Sequence, residues 1–565
     1  MTHPLIRLYA VLVCALFGII LTSQILGFLG FFTAVIAIPM AVIATGGAYW
    51  LYARFGDNWL QTLNLQKQET TLLSVTTIVT SVVLIVIIYV QRMILWHQSS
   101  VGEIISNDFT RYHAIKIFQL VRDGSVWNLA IPYGQYPYGL EGLVAFGMLF
   151  VPDLRITGTL YAFVFIIFWL TITLMLVRFA QLSLDVSLLL AVGITFVPML
   201  FAQLLNVGKN DVLLSTTILI AILHAPIGDE RFHPFGLAFA TMLSLATKAT
   251  GLYVLFYVWG LVMLNWAKYA RQGRWRDYLQ PVVFIALLLT MFPGGLWVIR
   301  NYVILGELFT SEISSFFQTT IVANLDNPAL YESYQSRNLL LYLSVAILLS
   351  IAALFKRQMG WQMFGVVLMM IITFAITPLA TFLTINDLDY LDIQWRFVLH
   401  GVAMVMVIAV ALFAPFIRWA YAFVNRHKVL QAVSSIGLVG LSITLIFFLG
   451  IDDLFGRNPN QWDKMLDPTL QDGSIYDELA SYESGFVLLE SVEWLPILIQ
   501  NPQVQLSETV YPLGQSDIYP LPQADYIAFN PLYTADPVYA LYQDDPTQWQ
   551  IIFENPTGRI YQRVP

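Results

Sequence analysis

Long apolar runs recur along the first 450 residues, and they constrain the fold more than any other feature of the sequence. A helix that crosses the hydrocarbon core of a bilayer needs about 20 apolar residues. Charged residues make up only 11% of the chain, against roughly 25% in an average soluble domain. These properties predict an α-helical polytopic membrane protein and exclude a soluble globular fold.

The runs predict about 11–13 transmembrane helices, because the three runs between 211 and 266 are short for a full crossing. The predicted spans are 5–27, 29–52, 72–95, 156–177, 184–204, 211–225, 235–247, 250–266, 281–304, 339–355, 361–384, 397–417 and 429–450.

Lysine and arginine fall mainly in alternate short loops, which the positive-inside rule assigns to the cytoplasm. The basic loops carry Arg54, Arg178, the cluster from Lys268 to Arg276, and Arg418. This predicts a multi-pass protein of the plasma (inner) membrane with a cytoplasmic amino terminus. The polar loop 97–155 and the carboxyl-terminal region are then expected on the extracytoplasmic side.

The loop 97–155 belongs to a predicted transmembrane domain, residues 1–450. Apolar residues recur at helical spacing between Asp108 and the Asp123-Gly124 stop, which indicates an amphipathic helix at the membrane interface. The Pro- and Gly-rich segment 132–139 predicts a turn-rich re-entry, and Leu140 to Val151 a second interfacial helix.

Residues 451–565 are polar, Pro-rich and aromatic, and they predict a small extracytoplasmic α/β domain. The pattern predicts helices at 473–482, 493–500 and near 537–542, and strands at 486–489, 504–506, 526–529, 549–553 and 559–562.

Four basic residues are expected at the outer ends of spans: Lys209, Lys248, Arg300 and Arg396. Converging on one cavity, they would suit an anionic phosphate, since arginine offers a bidentate fork and lysine a point charge. Alternatively, each side chain extends to the interface or pairs with a nearby carboxylate.

Asp108 has two interpretations: a general base, or a helix cap that stabilises by about 1 kcal/mol. His113 is a candidate ligand of a phosphate or metal, or an ordinary hydrogen-bonding residue. Asp211 is expected to begin a span and to form an ion pair. Tyr136, like its neighbours Tyr133 and Tyr138, would stack on a sugar ring or belong to an interfacial aromatic belt.

Taken together, these features resemble the GT-C superfamily of membrane glycosyltransferases, which use polyprenyl-phosphate sugars and include the protein O-mannosyltransferases and the aminoarabinose transferase of lipid A. The resemblance rests on the order of its motifs over about 500 residues. These are the Asp108 loop, Tyr136-Pro137, Asn210-Asp211, Thr247-Lys248-Ala249-Thr250-Gly251, Trp297-Val298-Ile299-Arg300-Asn301-Tyr302, Trp395-Arg396-Phe397, Ala524-Asp525-Tyr526-Ile527 and Gly558-Arg559-Ile560-Tyr561.

The resemblance implies an inverting sugar transfer at the outer membrane face, with Asp108 as the base. Lys248 and Arg300, and with them Lys209 and Arg396, would face the donor phosphate. Two departures leave the sugar and the acceptor open: Asn107 precedes Asp108, and Tyr138 replaces a proline. A divalent cation also stays open, because only some relatives of this kind use one.

Other functions fit the sequence in part. A secondary transporter would show internal repeats and ionisable residues near the midplane. A non-catalytic scaffold or flippase-like partner would tolerate changes at Asp108, Lys248 and Arg300. An oligosaccharide ligase or polymerase would share the lipid-linked donor and the outer-face site. The expected partners are therefore a polyprenyl-phosphate sugar, membrane lipid and an acceptor of unknown kind, with no nucleic acid.

Overall fold

A computed structural model describes residues 3–56, 59, 63, 71–96, 109–129, 131, 134–152, 154, 156–204, 208–227, 232–308, 311–328, 344–349, 351–352, 360–381, 399–447, 475–482, 486–490, 505–508, 525–529, 549–556 and 558–564.

The described part of the chain is a helical membrane bundle. Eight helices are long and apolar enough to cross a membrane: Pro4–Leu29, Ala34–Phe55, Leu72–Val90, Ile156–Ala180, Ala249–Arg271, Pro281–Leu305, Leu399–Arg426 and Lys428–Ile446. Five shorter apolar helices are Gly139–Met148, Leu184–Thr195, Asp211–His224, Pro234–Thr247 and Gln362–Ile372. The prediction of a polytopic helical membrane protein is confirmed.

Most predicted spans coincide with helices, and the differences have local causes. The run predicted at 184–204 is two helices, Leu184–Thr195 and Pro198–Leu204, because Pro198 has no N–H to continue the first one. Gln362–Ile372 belongs to a longer helix, Gly360–Thr381. Of the run predicted at 339–355, residues 344–349 and 351–352 are described, and they are helical.

The helices alternate in direction, so the bundle has two ends. At the end that carries the polar loop, Val126 donates to the Gly27 carbonyl and Phe32 to the Gly124 carbonyl. We call this the loop end. At the opposite end, Thr71 is hydrogen-bonded to Asn425.

Arg178 fixes the turn between the two short helices Asp211–His224 and Pro234–Thr247 at this opposite end. Its guanidinium donates to the carbonyls of Leu223, Ala225 and Ile227. His224 and His233 are fully buried in the same region, and the ring nitrogens of both have hydrogen-bond partners. These contacts hold the turn together, so we assign the two histidines a structural role.

The carboxyl-terminal region contributes one short helix, Ile475–Ala480, and a five-stranded sheet. Its strands, β1 to β5 in chain order, are Phe486–Glu490, Gln505–Glu508, Tyr526–Phe529, Trp549–Asn555 and Gly558–Arg563. Their order in the sheet is β2-β1-β3-β5-β4. The first three strands pair in parallel, and the last two form an antiparallel hairpin that pairs antiparallel with β3. The helices predicted at 493–500 and near 537–542 lie outside the described residues.

Candidate functional site

The polar loop contains the predicted amphipathic helix. It runs through Phe109–His113 and Ala114–Asp123, and we call it the loop helix. It ends at Gly124, which adopts the left-handed conformation that favours glycine. Its apolar residues pack against protein: Ile117 joins the core of the bundle, and Ile115 packs with Ile475, Ile560 and other residues of the carboxyl-terminal region.

A buried carboxylate holds the charged face of the loop helix. Oε1 of Glu141, from the ten-residue helix Gly139–Met148, lies 2.8 Å from His113 Nδ1 and 2.9 Å from Lys116 Nζ. All three side chains are at most 1% exposed. Burial alone would raise the pKa of Glu141, but the charges of Lys116 and His113 and their hydrogen bonds lower it to about 2. The carboxylate is therefore ionised at neutral pH.

The segment Gly134–Tyr138 is the predicted re-entry, and every one of its carbonyl groups accepts a hydrogen bond. We call it the re-entry segment. Arg300 donates to the Gly134 and Tyr136 carbonyls, Asn301 to that of Gln135, Lys116 to that of Pro137, and the backbone N–H of Gly142 to that of Tyr138.

Tyr138 is also held between two cations, because Lys116 Nζ lies 4.4 Å and the Arg300 guanidinium carbon 5.1 Å from its ring centroid. Tyr136 is the one residue of the re-entry segment that is half-buried, whereas the other four are buried. The backbone of this segment is thus fixed in one conformation by side chains from two other elements.

Lys248 and Asp211 form an ion pair at the loop ends of the two short helices. Lys248 Nζ lies 2.6 Å from Asp211 Oδ1, with the lysine side chain 22% and the aspartate side chain 5% exposed. Asp211 begins its helix, where a carboxylate favours the positive end of the helix dipole. The prediction that Asp211 begins a helix and forms an ion pair is confirmed, and that helix is one of the shorter apolar ones.

The sequence around Lys248 explains its position. The helix Pro234–Thr247 ends at Lys248, which is extended, and the chain turns back at once. A Cβ at Gly251 would overlap the Ser244 carbonyl oxygen, so this tight turn requires glycine.

Three contacts bring the motifs of the sequence together. The Asn210 side chain donates to the Thr247 carbonyl at 3.3 Å. Gly139 packs on the backbone of Ala246 and Thr247, and Gly208 packs on the Phe109 side chain. The loop helix, the re-entry segment and the ion pair therefore lie around one region of the bundle.

This region is recessed. A helix of 14 residues is about 21 Å long, whereas the hydrocarbon core is about 30 Å thick. Arg178 holds the turn of the two short helices close to the end of the span Ile156–Ala180, so the missing length lies at the loop end.

The predicted site residues take different positions. Lys248 lies in the recess, and Lys209, half-buried, lies two residues before Asp211. His113 and Arg300 are buried, with the contacts described above. Asp108 and Arg396 lie outside the described residues. The predicted roles of all these residues in binding or catalysis stay predictions.

Two residues of the site were missed from the sequence, Glu141 and Lys116, and Asn301 was noted only as part of a motif. Two signals were available. A single acidic residue in the apolar run Leu140 to Val151 is costly unless it is paired, and Lys116 lies three residues after His113, on the same helix face.

Among the described residues, no group of three or more His, Cys, Asp or Glu side chains is arranged to hold a metal ion. His113 was a candidate ligand of a phosphate or metal, and its Nδ1 atom contacts Glu141.

A scan against protein-family models finds no match to this sequence. No curated protein matches it either.

Proposed function

We propose that the protein is a membrane glycosyltransferase that moves a sugar from a polyprenyl-phosphate donor to an acceptor protein, lipid or glycan. The observation that carries this proposal is the recessed Lys248–Asp211 pair beside the re-entry segment and the loop helix. In this proposal the recess opens near the bilayer surface, where the phosphate of a lipid-linked donor would lie.

Lys248 binds the donor phosphate in this proposal, because it is a partly exposed cation inside the recess. Asp211 orients the ammonium group and partly neutralises it before the donor arrives. Lys209 lies close to Asp211 along the chain and adds positive charge. Fixed cations aimed at the leaving phosphate stabilise the charge that develops on it.

Arg300 takes a positioning role in place of direct contact with the phosphate. Its guanidinium is fully buried and donates to the carbonyls of Val126, Gly134 and Tyr136. Tyr136 is the half-buried member of the segment that Arg300 fixes, and in this proposal it offers its ring to the sugar. His113, in the loop helix, contacts Glu141, and in this proposal it helps to position the loop helix and does not touch the substrate.

The reaction is a single displacement. The acceptor oxygen or nitrogen attacks the anomeric carbon, the bond from that carbon to the phosphate oxygen breaks, and the phosphate leaves with the electron pair. The acceptor proton passes to a base, which the resemblance assigns to Asp108. One displacement inverts the anomeric configuration, and the phosphate needs little help from an acid.

The orientation in the membrane is part of the proposal. Arg178 and Arg418 lie at the opposite end of the bundle, as the positive-inside rule expects for the cytoplasmic side of a plasma membrane. The loop end, with the carboxyl-terminal α/β region packed on the loop helix, then faces outward. We further propose that shorter apolar helices outside the polar loop cross the membrane together with the eight long ones, as in a GT-C-like enzyme of about 11–13 spans.

A proton-coupled secondary transporter is the second candidate, and one observation favours it. The Lys248–Asp211 ion pair, with its aspartate buried and its lysine partly exposed, also suits ion coupling, since intramembrane ionisable residues commonly mark transport pathways. A transporter would carry substrate across the membrane without breaking a glycosidic bond. An oligosaccharide ligase or polymerase would instead use the same recess with a longer donor.

The test is sugar transfer in membranes that contain the wild type or Asp108→Asn, using a panel of radiolabelled polyprenyl-phosphate monosaccharides. We expect transfer from one donor by the wild type and a loss of about a hundredfold or more in the variant, the scale of general-base loss. Equal activity of the two proteins would remove Asp108 from the mechanism. Absence of transfer from every donor, with uptake of a sugar, would favour the transporter.

A further inference from the structure

The charged cluster of Glu141, His113 and Lys116 joins the loop helix to the re-entry segment. Glu141 contacts His113 and Lys116 through the same oxygen, Oε1. Lys116 Nζ in turn donates to the Pro137 carbonyl at 3.2 Å. One buried carboxylate therefore connects the loop helix to the re-entry segment through one ammonium group.

A second contact joins the same two elements. The Tyr138 hydroxyl donates to Gln119 Oε1 at 3.4 Å, and Gln119 lies three residues after Lys116, on the same face of the loop helix. Both contacts are buried. The loop helix is thus attached to the re-entry segment at two points along its length.

Burial of these charges is a weak source of stability. Removing charged groups from water is costly, and well-packed apolar residues in place of a buried ion pair are often neutral or stabilising. What the charges do provide is a defined geometry, because a salt bridge fixes the positions of its donor and acceptor atoms. The apolar face of the same helix, through Ile115 and Ile117, is already packed without their help.

We infer that Glu141 is a positioning residue: through Lys116 and His113 it fixes the loop helix at a set distance from the re-entry segment. This inference rests on the proposed function, because it makes the catalytic rate depend on that distance. Glu141 is fully buried, so it acts through its neighbours and not by touching substrate. A displacement of about 1 Å at a reacting centre reduces the rate by about a hundredfold.

Three variants separate positioning from stability. Glu141→Gln leaves Lys116 with a buried, unpaired charge and is expected to lower the melting temperature. The double variant Lys116→Met with Glu141→Gln removes that charge and is expected to melt within a few degrees of the wild type. Glu141→Asp keeps the charge and is expected to retain more activity than either.

Hydrogen exchange of residues 114–123 is the readout that does not depend on activity. We expect exchange in the double variant to be faster than in the wild type by about tenfold or more, although the two proteins melt alike. Where transfer is measurable, kcat falls in the double variant and KM changes little. Wild-type exchange and wild-type kcat in the double variant would overturn the inference.

The two proposals fail in different ways. Faster exchange in the double variant, together with no sugar transfer by the wild type from any donor, would support the link through Glu141 and count against the glycosyltransferase. Wild-type exchange and wild-type transfer rates in the double variant would count against the positioning role of Glu141 and leave the glycosyltransferase proposal standing.

Discussion

Replacing Arg300 by lysine tests whether this residue fixes the re-entry segment. The guanidinium donates from Nη1 to the Val126 carbonyl at 3.0 Å, and from Nη2 to the Gly134 carbonyl at 2.8 Å and the Tyr136 carbonyl at 3.4 Å. The variant Arg300→Lys keeps the positive charge, but its compact ammonium group lacks the planar fork that reaches separated acceptors.

The size of the effect follows from the carbonyls that lose their donor. We expect a lysine to reach one of the three, so two are left without a charged partner. Each buried group left unsatisfied costs about 1–3 kcal/mol, and the free energy of unfolding should therefore fall by about 2–6 kcal/mol.

The assay is equilibrium unfolding of the purified protein in mixed micelles, with hydrogen exchange of residues 134–142 measured in parallel. Arg276→Lys is the matched control, since Arg276 is exposed at the opposite end of the bundle, and it should change the free energy of unfolding by less than about 0.5 kcal/mol. If Arg300→Lys unfolds and exchanges like the wild type but binds a polyprenyl phosphate more weakly, Arg300 is a phosphate ligand and our assignment is wrong.

Three further predictions concern the packing and charge of the site. Gly139→Ala should lower the free energy of unfolding by about 1–3 kcal/mol, because the added Cβ would lie 2.7 Å from the Ala246 carbonyl oxygen. Thermal melting is the assay, and Gly193→Ala is the control, since a Cβ at Gly193 would meet nothing within 4 Å. The lowered pKa of Glu141 adds stability that is complete above about pH 4.5 and is lost as the pH falls towards 2; in an acid titration of unfolding, Glu141→Gln should remove this contribution. Ile560→Ala should lower the free energy of unfolding by about 2–5 kcal/mol and expose the carboxyl-terminal strands to protease, because Ile560, in β5, is fully buried. Ile552→Ala, in β4 at a position 41% exposed, should do neither.

The sequence predicted the helices well because each depends on local signals. Pro281–Leu305 was placed to within one residue, since Pro281 suits a first helical position and Gly306 follows its end. The strands predicted at 549–553 and 559–562 similarly coincide with β4 and β5. The amphipathic loop helix also has a local signal, the recurrence of apolar residues.

The contacts between distant segments were not predictable in the same way. Glu141 and Lys116 are 25 positions apart, and nothing local in either segment indicates that they meet. Arg300 was expected to face a phosphate. A single arginine at the end of a span gives no sign that it will donate to backbone carbonyls of a loop more than 160 positions away. Pairing of this kind is decided by how the helices pack.

The central claim is that Lys248 holds a lipid-borne phosphate during sugar transfer. The most direct measurement is single-turnover transfer from a radiolabelled polyprenyl-phosphate sugar by purified protein in liposomes, comparing the wild type with Lys248→Met. Lys268→Met, at an exposed position of the opposite end, is the control. We expect Lys248→Met to slow transfer by about a hundredfold or more and the control to match the wild type. Equal rates for Lys248→Met and the wild type would contradict the claim.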